Sequence, residues 1–429
     1  MNEAFLHYLW QHQMVAKKLA TTGGQAVIVH RVGDLNRDAG PDFFNAHLSI
    51  DGVEWAGNIE VHLRSSDWNN HRHSQDKAYN NVILHVVYEH DCEIKLENGT
   101  VPPTLELKKY IHPALEANYD ALVQPQPSDV IPCASRLAGV PSFIVDSWME
   151  RMTVERIESK SLVARRLFEE SRGSWEQTCY WLMARYFGGK VNALPFELLA
   201  KATDQRLLAR WKDNPRRIEA LLMGQAGLLE GFFEDIYPRQ LQADYDALRS
   251  GASLNPIGAH LWRFFRLRPS AFPTIRISQF ANLLSASSNL FSTLLEMTDA
   301  GKMEKLFDCC ASDYWDSHYR FDQAAAKSTP KHLGRMQADL LIINAWVPLL
   351  FVYGEVRGQQ LYKDQAINIL QQLSTEDNVI IRQFRAAGIS PDNAAQSQAL
   401  LQLKNCYCST RQCLRCSIGH NIIKHFSKD

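Results

Sequence analysis

The sequence lacks the features that mark a membrane or secreted protein. It contains no apolar run of about 18 residues, so we expect no membrane-spanning helix. Its N-terminus has no basic start followed by a long apolar core, so we expect no secretory signal. Five of the nine cysteines are scattered along the chain. Scattered thiols without a signal are typical of a reducing compartment, which predicts a cytoplasmic protein.

The chain also lacks an excess of charge of either sign. The 46 Lys and Arg residues nearly balance 47 Asp and Glu residues, and the formal net charge at pH 7 is −1. A nucleic-acid-binding surface would therefore have to be a local patch. Internal repeats and low-complexity tracts are missing as well. The 45% of hydrophobic residues in 429 positions is ordinary for a globular protein of two or three domains.

Carboxylates and imidazoles are concentrated between Gly33 and Val87, beside short strand-like runs. Asp42 opens one predicted strand, and Glu60 and His62 lie at the end of the next. Glu60 and His62 point to the same side because alternate residues of a strand share a face. A hairpin turn at Asp51-Gly52 would bring Asp42 beside them. Two carboxylates and a basic side chain at one sheet edge could hold a divalent cation and an activated water.

Asp42 and the segment Glu60-Val61-His62 resemble the motif of the PD-(D/E)xK nucleases. In that superfamily an Asp and a Glu bind Mg²⁺, and a Lys two residues further on assists the attacking water. The resemblance implies that Asp42 and Glu60 bind the metal and that His62, in the place of Lys, acts on the water. Many members have a metal-binding Glu on the first helix, which implies this role for Glu3.

The order of predicted elements supports this resemblance. A helix over 3–18 begins the chain, and a short helix over 75–80 precedes an almost purely apolar strand. The predicted strands cover 25–30, 43–50, 54–62 and 81–88. The resulting order αβββαβ is that of the PD-(D/E)xK core. We therefore predict an α/β domain with a restriction-endonuclease-like mixed sheet over residues 1–125.

Other polar residues near the motif are candidate accessory groups. His71, His73 and Asp76 could hold a second metal or contact a substrate phosphate, or they could be surface and helix-capping residues. Asp38 precedes the motif in a loop and could join the metal shell. His62 is not a reliable cation near neutral pH, since its unperturbed pKa is about 6.5. Its presence is compatible with a base, a metal ligand or a decayed site.

The pattern becomes helical after a linker-like segment at 124–128. Helical spacing of apolar residues then continues, which predicts a large all-α domain over 126–400. Arg266, Arg268 and Arg276 form a small basic group in this domain. They could contact phosphates or make structural ion pairs.

Four cysteines lie within eleven positions near the end of the chain, namely Cys406, Cys408, Cys413 and Cys416. Four thiolates at this spacing can surround one tetrahedral ion, because only short chain loops have to close between them. The spacing therefore predicts a metal-binding tail over 401–429. Structural Zn²⁺ is the first choice. A [4Fe–4S] cluster is an alternative, because some PD-(D/E)xK exonucleases carry one, and free or redox-active thiols are another.

The resemblance to the PD-(D/E)xK nucleases implies Mg²⁺- or Mn²⁺-dependent hydrolysis of phosphodiester bonds in nucleic acid. One alternative is a decayed nuclease-fold protein that binds nucleic acid or serves as a scaffold. Another is a metal hydrolase of a different kind. The whole chain also resembles an uncharacterised bacterial family of unknown function, and this second resemblance implies no activity.

Overall fold

The computed structural model describes residues 1–124, 130–250, 254–287 and 289–425. Residues 125–128 of the predicted linker lie outside this part of the chain. The chain is divided into two compact units. The first unit comprises Met1–Trp148, Ala386–Gly388 and the segment that begins at Leu403, and the second comprises Met149–Arg385 and Ile389–Gln402.

The first unit is built on a seven-stranded mixed sheet. Its strands are β1 (Leu19–Ala20), β2 (Ala26–Arg31), β3 (Asp34–Leu35), β4 (Phe43–Ile50), β5 (Val53–Arg64), β6 (Val82–Glu89) and β7 (Thr104–Glu106). They run in the order β1-β2-β4-β5-β6-β7, and β3 pairs with β4. The neighbours of β4 are antiparallel to it, whereas β6 is parallel to both β5 and β7.

The predicted hairpin between β4 and β5 is present and turns at Asp51-Gly52. These two residues have φ angles of 50° and 80°, as a two-residue type I′ turn requires. The register pairs Phe43 with Ile59. Asp42 therefore lies beside Glu60 at the end of the hairpin.

Short helices border the sheet of the first unit. They are α1 (Glu3–Gln11), α2 (Asp67–Asn70) and α3 (Pro113–Val123), with 3₁₀ turns at His73–Gln75 and Lys77–Asn81. Helix α1 begins at a cap in which Asn2 accepts a hydrogen bond from the backbone of Phe5 at 2.9 Å. It ends before residue 18 because Gln13 has a φ of 49°, which a helix cannot accommodate. Helix α1 packs on β5, so its side chains reach the end of the hairpin.

The second unit is helical, apart from a small hairpin. Its helices are α4 (Ser142–Glu170), α5 (Trp175–Phe187), α6 (Gly189–Ala202), α7 (Gln205–Arg210), α8 (Pro215–Gln225), α9 (Ile236–Arg249), α10 (Pro273–Ala286), α11 (Leu290–Leu295), α12 (Ala300–Phe307), α13 (Arg335–Leu341), α14 (Val347–Arg357), α15 (Gln360–Gln372), α16 (Val379–Ala386) and α17 (Ala394–Gln402). The hairpin joins β8 (His318–Arg320) to β9 (Gln323–Ala324). An N-terminal mixed sheet followed by a large helical domain is thus confirmed, while the restriction-endonuclease likeness stays a prediction.

One helical segment in the described part of the chain, Arg335–Arg357, is long and apolar enough to span a membrane by length and composition. About two thirds of its most apolar window, 67%, is buried inside the fold. Such burial is usual for the core helix of a soluble protein.

The C-terminal segment groups with the first unit rather than standing apart. It contains a π-helical stretch at Leu403–Cys408, a 3₁₀ turn at Cys413–Arg415 and α18 (Ser417–Lys424). The Tyr8 hydroxyl on α1 is 2.8 Å from Nδ1 of His420 on α18. Helix α18 also packs on α3. These contacts connect the two ends of the chain within one unit.

Gly57 tests the packing of the hairpin against β6. A Cβ atom at this position would lie 2.4 Å from Cγ2 of Ile83 and 2.7 Å from the carbonyl oxygen of Asn81. We expect Gly57→Ala to lower the free energy of unfolding by about 1–3 kcal/mol, because the backbone of β6 has to shift. Urea denaturation followed by circular dichroism measures this change. Gly139→Ala is the matched control, since nothing lies within 4 Å of its Cβ, and equal urea midpoints for the two variants would contradict the packing described here.

Candidate metal centre

The structure brings Asp42 and Glu60 together. The backbone N–H of Asp42 donates to Oε2 of Glu60 at 3.1 Å, and the backbone N–H of Val61 donates to Oδ2 of Asp42 at 2.9 Å. Glu60 is only 4% exposed. Burial raises its pKa, and the Asp42 carboxylate adds to this effect, while His73 opposes it. A buried carboxylate next to another carboxylate is costly unless a cation compensates it.

Helix α1 adds two side chains to the pair. His7 Nε2 lies 3.2 Å from Oδ2 of Asp42, and ligand atoms of Glu3, His7 and Asp42 all lie within 4.8 Å of one another. Burial and the Asp42 charge raise the pKa of Glu3. Burial opposes the charged form of His7, but Asp42 outweighs it and the pKa of His7 is raised. His7 is not among the residues predicted from the sequence, although its spacing of four from Glu3 places both on one face of a helix.

A histidine group lies on the other side of Glu60. Ligand atoms of His62, His71 and His73 are all within 4.8 Å of one another, and His62 Nε2 is 3.2 Å from Nδ1 of His71. Glu60 Oε1 is 3.1 Å from His73 Nε2 and 3.4 Å from His62 Nε2. The loop after β5 carries His71 and His73 back over the strand that carries Glu60 and His62. The predicted accessory histidines therefore do join the predicted motif.

The spacing of these donor atoms is compatible with a metal ion as well as with ion pairs. Nε2 of His7 and Nε2 of His73 are buried, and neither makes a well-formed hydrogen bond to a described residue. Each nevertheless lies 3.1–3.2 Å from a carboxylate oxygen. Ligands at about 2.1 Å from one ion are about 3.0 Å apart in octahedral geometry and about 3.4 Å apart in tetrahedral geometry. The residues present therefore fit a divalent cation.

His62 is neutral at physiological pH. Burial lowers its pKa to about 2, and burial lowers the pKa of His85 to about 3. The two rings meet at 2.9 Å between His62 Nδ1 and His85 Nε2. This contact fixes the orientation of the His62 ring and leaves its Nε2 directed to Glu60 and His71. His62 therefore offers a lone pair or a neutral N–H, and does not replace the positive charge of a Lys.

Several predicted residues lie away from this group. Oδ1 of Asp76 accepts from the backbone of Ala78 at 2.9 Å and caps a 3₁₀ turn, and Asp38 is exposed in a loop. In the second unit Arg276 is buried and donates to Oε1 of Gln279 at 3.2 Å. Burial lowers its pKa to about 10. The remaining two residues of the basic group, Arg266 and Arg268, are exposed.

The four clustered cysteines do not share one environment. Cys408, Cys413 and Cys416 are buried, each with 8% of its surface exposed. Cys406 is exposed. Three of the four predicted ligands thus face the interior of the first unit and the fourth faces solvent.

The fold and this site define a protein with a mixed sheet, a helical unit and a cluster of carboxylates and histidines at the edge of a hairpin. The chain belongs to a family described as "Protein of unknown function (DUF2851)", whose family model matches residues 3–379. The predicted resemblance to a family of unknown function is therefore confirmed. No curated protein and no solved structure matches the chain, and the comparisons give no support to the PD-(D/E)xK resemblance.

The buried pair His62 and His85 predicts a specific pH dependence of stability in the metal-free protein. Their pKa values in the folded state lie below the unfolded value of about 6.5, so only the unfolded chain gains protons as the pH falls through 6.5. These two histidines should therefore lower the stability between pH 7.5 and pH 5, by about 2 kcal/mol each at pH 5, whereas the raised pKa of His7 acts in the opposite direction. Urea denaturation in EDTA measures this loss. We expect His85→Gln to show a shallower decline than the wild type.

Gly57→Ala is the control for this experiment, because it lowers stability without removing a titrating group. It should retain the pH slope of the wild type. A His85→Gln protein with the wild-type slope would show that His85 does not stay neutral in the folded state.

Proposed function

We propose that this protein hydrolyses phosphodiester bonds of nucleic acid with divalent metal ions. The observation that carries the proposal is the convergence of carboxylates and imidazoles around buried Glu60. The group consists of Glu3, His7, Asp42, Glu60, His62, His71 and His73. Mixed oxygen and nitrogen donors around a shared point are typical ligand sets of hydrolytic metal centres.

Glu60 lies between two groups of donor atoms, which supports two neighbouring metal positions. Its Oε2 accepts from the backbone N–H of Asp42, whose carboxylate groups with Glu3 and His7, and its Oε1 lies 3.1 Å from Nε2 of His73. The carboxylate-rich position would hold Mg²⁺ or Mn²⁺, because these ions favour oxygen ligands. The histidine-rich position favours Mn²⁺ over Mg²⁺, since imidazole binds transition metals better.

His62 acts in this proposal as a ligand that holds water or metal in place. A pKa of about 2 makes it too weak a base to take a proton from water near pH 7. The ring of His85 keeps it in a fixed orientation. Divalent ions held by these residues would supply the chemistry that His62 does not, because such ions lower the pKa of a coordinated water and offset the charge of a phosphate.

Arg72 provides a cation for the substrate. It lies between His71 and His73 in the loop after α2, is exposed, and has a φ of 62°. An Arg binds phosphate oxygens in a bidentate manner and stays charged at all relevant pH values. Arg72 therefore supplies next to the centre the positive charge that the PD-(D/E)xK motif would place at His62.

The second candidate function is binding of nucleic acid without cleavage, by a decayed site. The observation in its favour is the neutral, buried His62 at the position where the nucleases have Lys. For either function we propose the reducing cytoplasm, because none of the nine cysteines forms a disulfide. We propose no membrane partner.

The proposal predicts that Asp42→Asn and Glu60→Gln weaken Mn²⁺ binding by at least about tenfold, since each removes a charged ligand. Both variants should also lose cleavage of labelled single-stranded DNA, duplex DNA or RNA. Calorimetric titration with Mn²⁺ measures the first effect, and gel assays with and without EDTA measure the second. Circular dichroism checks that both proteins remain folded.

Asp38→Asn is the matched control, because Asp38 is an exposed carboxylate of the preceding loop, and it should keep the wild-type affinity. Unchanged Mn²⁺ affinity in both site variants would defeat the proposed metal centre. A wild-type protein that binds Mn²⁺ and nucleic acid but does not cleave the nucleic acid would favour the second candidate function. Cleavage restricted to phosphodiesters other than nucleic acid would indicate a different metal hydrolase.

A further inference from the structure

A small cavity in the first unit is lined mainly by thiols. Its volume is about 20 Å³, which is room for one water-sized species. Half of its eight lining residues are cysteines, namely Cys133, Cys408, Cys413 and Cys416. Cys406 is exposed and does not line the cavity. The thiol that completes the set thus comes from a position 275 residues before Cys408 in the chain.

The thiols of this cavity affect one another. Burial raises the pKa of Cys133, and the nearby Cys408, Cys416 and Cys413 raise it further. Burial likewise raises the pKa of Cys408 to about 12, with Cys416 and Cys413 as further causes. The lining of the cavity is the geometric observation that places these four cysteines around one space. Four neutral thiols that surround one small space are held there by the fold.

Some groups around the cavity partly offset the effect of burial on the thiols. The backbone N–H groups of Ile418 and Gly419, in the first turn of α18, donate to Cys416 and act to lower its pKa, although burial raises that pKa overall. Gly419 allows α18 to approach Cys413 closely, because a Cβ atom there would lie 2.3 Å from the carbonyl oxygen of Cys413. Arg411 adds a positive charge that favours the thiolate forms of Cys408 and Cys413. Amide donors and a cation around sulfur are what a bound thiolate needs.

We propose that Cys133, Cys408, Cys413 and Cys416 bind one Zn²⁺ as a structural site, and that Cys406 is not a ligand. Four thiols release four protons when they bind Zn²⁺, and the centre formed has a charge of −2. Among the described residues no three of these sulfur atoms lie within 4.8 Å of one another. Zn²⁺ binding would therefore have to draw the four cysteines together, since Zn–S bonds of about 2.3 Å place sulfur atoms about 3.8 Å apart.

The site would join two distant parts of the first unit. Cys133 lies just before the 3₁₀ turn Ala134–Gly139, and the other three ligands lie in the C-terminal segment. A metal crosslink between them removes conformational freedom from the unfolded chain and so stabilises the folded unit. This inference does not depend on the proposed hydrolase function.

Protection from alkylation tests the ligand set in the wild-type chain, without any variant. The protein is stripped of metal, incubated with or without Zn²⁺, treated with a maleimide and analysed by peptide mass spectrometry. Zn²⁺ should protect Cys133, Cys408, Cys413 and Cys416 and leave Cys406 fully modified. Protection of Cys406 with modification of Cys133 would overturn the proposed set.

Cobalt substitution provides a second test with a matched pair of variants. Co²⁺ bound by four thiolates gives an intense sulfur charge-transfer absorption that the histidine and carboxylate centre cannot produce. Cys133→Ser should bind Co²⁺ at least about tenfold more weakly in this titration, whereas Cys406→Ser should match the wild type. Equal losses in both variants, or no thiolate band in the wild type, would refute the site. A purified protein with iron, sulfide and a brown chromophore would refute the choice of zinc.

Discussion

The burial of Glu60 is the constraint on which the candidate centre depends. The carboxylate is almost fully removed from water, yet no Lys or Arg pairs with it among the described residues. Its neighbours are the backbone N–H of Asp42 and the rings of His62 and His73. Desolvation of an unpaired carboxylate costs several kcal/mol. A divalent cation among these donors would remove that cost, and this is the physical reason to regard the cluster as a metal centre.

The sheet explains why this burial is possible. Strand β6 lies between two parallel neighbours, and every residue from Val82 to Val87 is buried. Glu60 pairs with His85 across the parallel strands. The polar groups of the centre therefore lie next to β6, whose other buried residues are apolar. The same desolvation keeps His62 and His85 neutral. The removal of these side chains from water therefore keeps the histidines neutral, and it would also strengthen the attraction of Glu60 for a cation.

The two proposed metal sites belong to one unit but serve different purposes. Carboxylates and imidazoles of the kind found around Glu60 are typical ligands of catalytic metal centres, which keep a coordination position for water or substrate. Four thiolates would close a tetrahedral site and leave no position for a substrate. The second site would therefore contribute to stability, by holding the C-terminal segment to the residues that follow β7 and α3. The two proposed sites thus differ in their donor atoms: carboxylates and imidazoles at the proposed catalytic centre, and thiolates at the proposed structural site.

Local features of the fold could be predicted from the sequence. Alternating and apolar runs placed the main strands, and the Asp51-Gly52 turn correctly placed Asp42 beside Glu60. Helix α1 was predicted too long, because nothing in the apolar pattern reveals the positive φ of Gln13. The single helix predicted over 75–80 is instead a pair of 3₁₀ turns with α2 before them. Such irregular backbone depends on packing against β5 and not on residue spacing.

The sequence by itself determined which chemistry is available, since it places Asp42, Glu60 and His62 on one hairpin and four thiols near the end of the chain. Those contacts are local, and periodicity and turn preferences report on local structure. Only the tertiary structure decided which residues complete each site. His7 arrives on a packed helix, and Cys133 arrives from a segment 275 positions away from Cys408. Proximity between distant segments and the loss of water that shifts pKa values both arise from packing, which residue spacing does not encode.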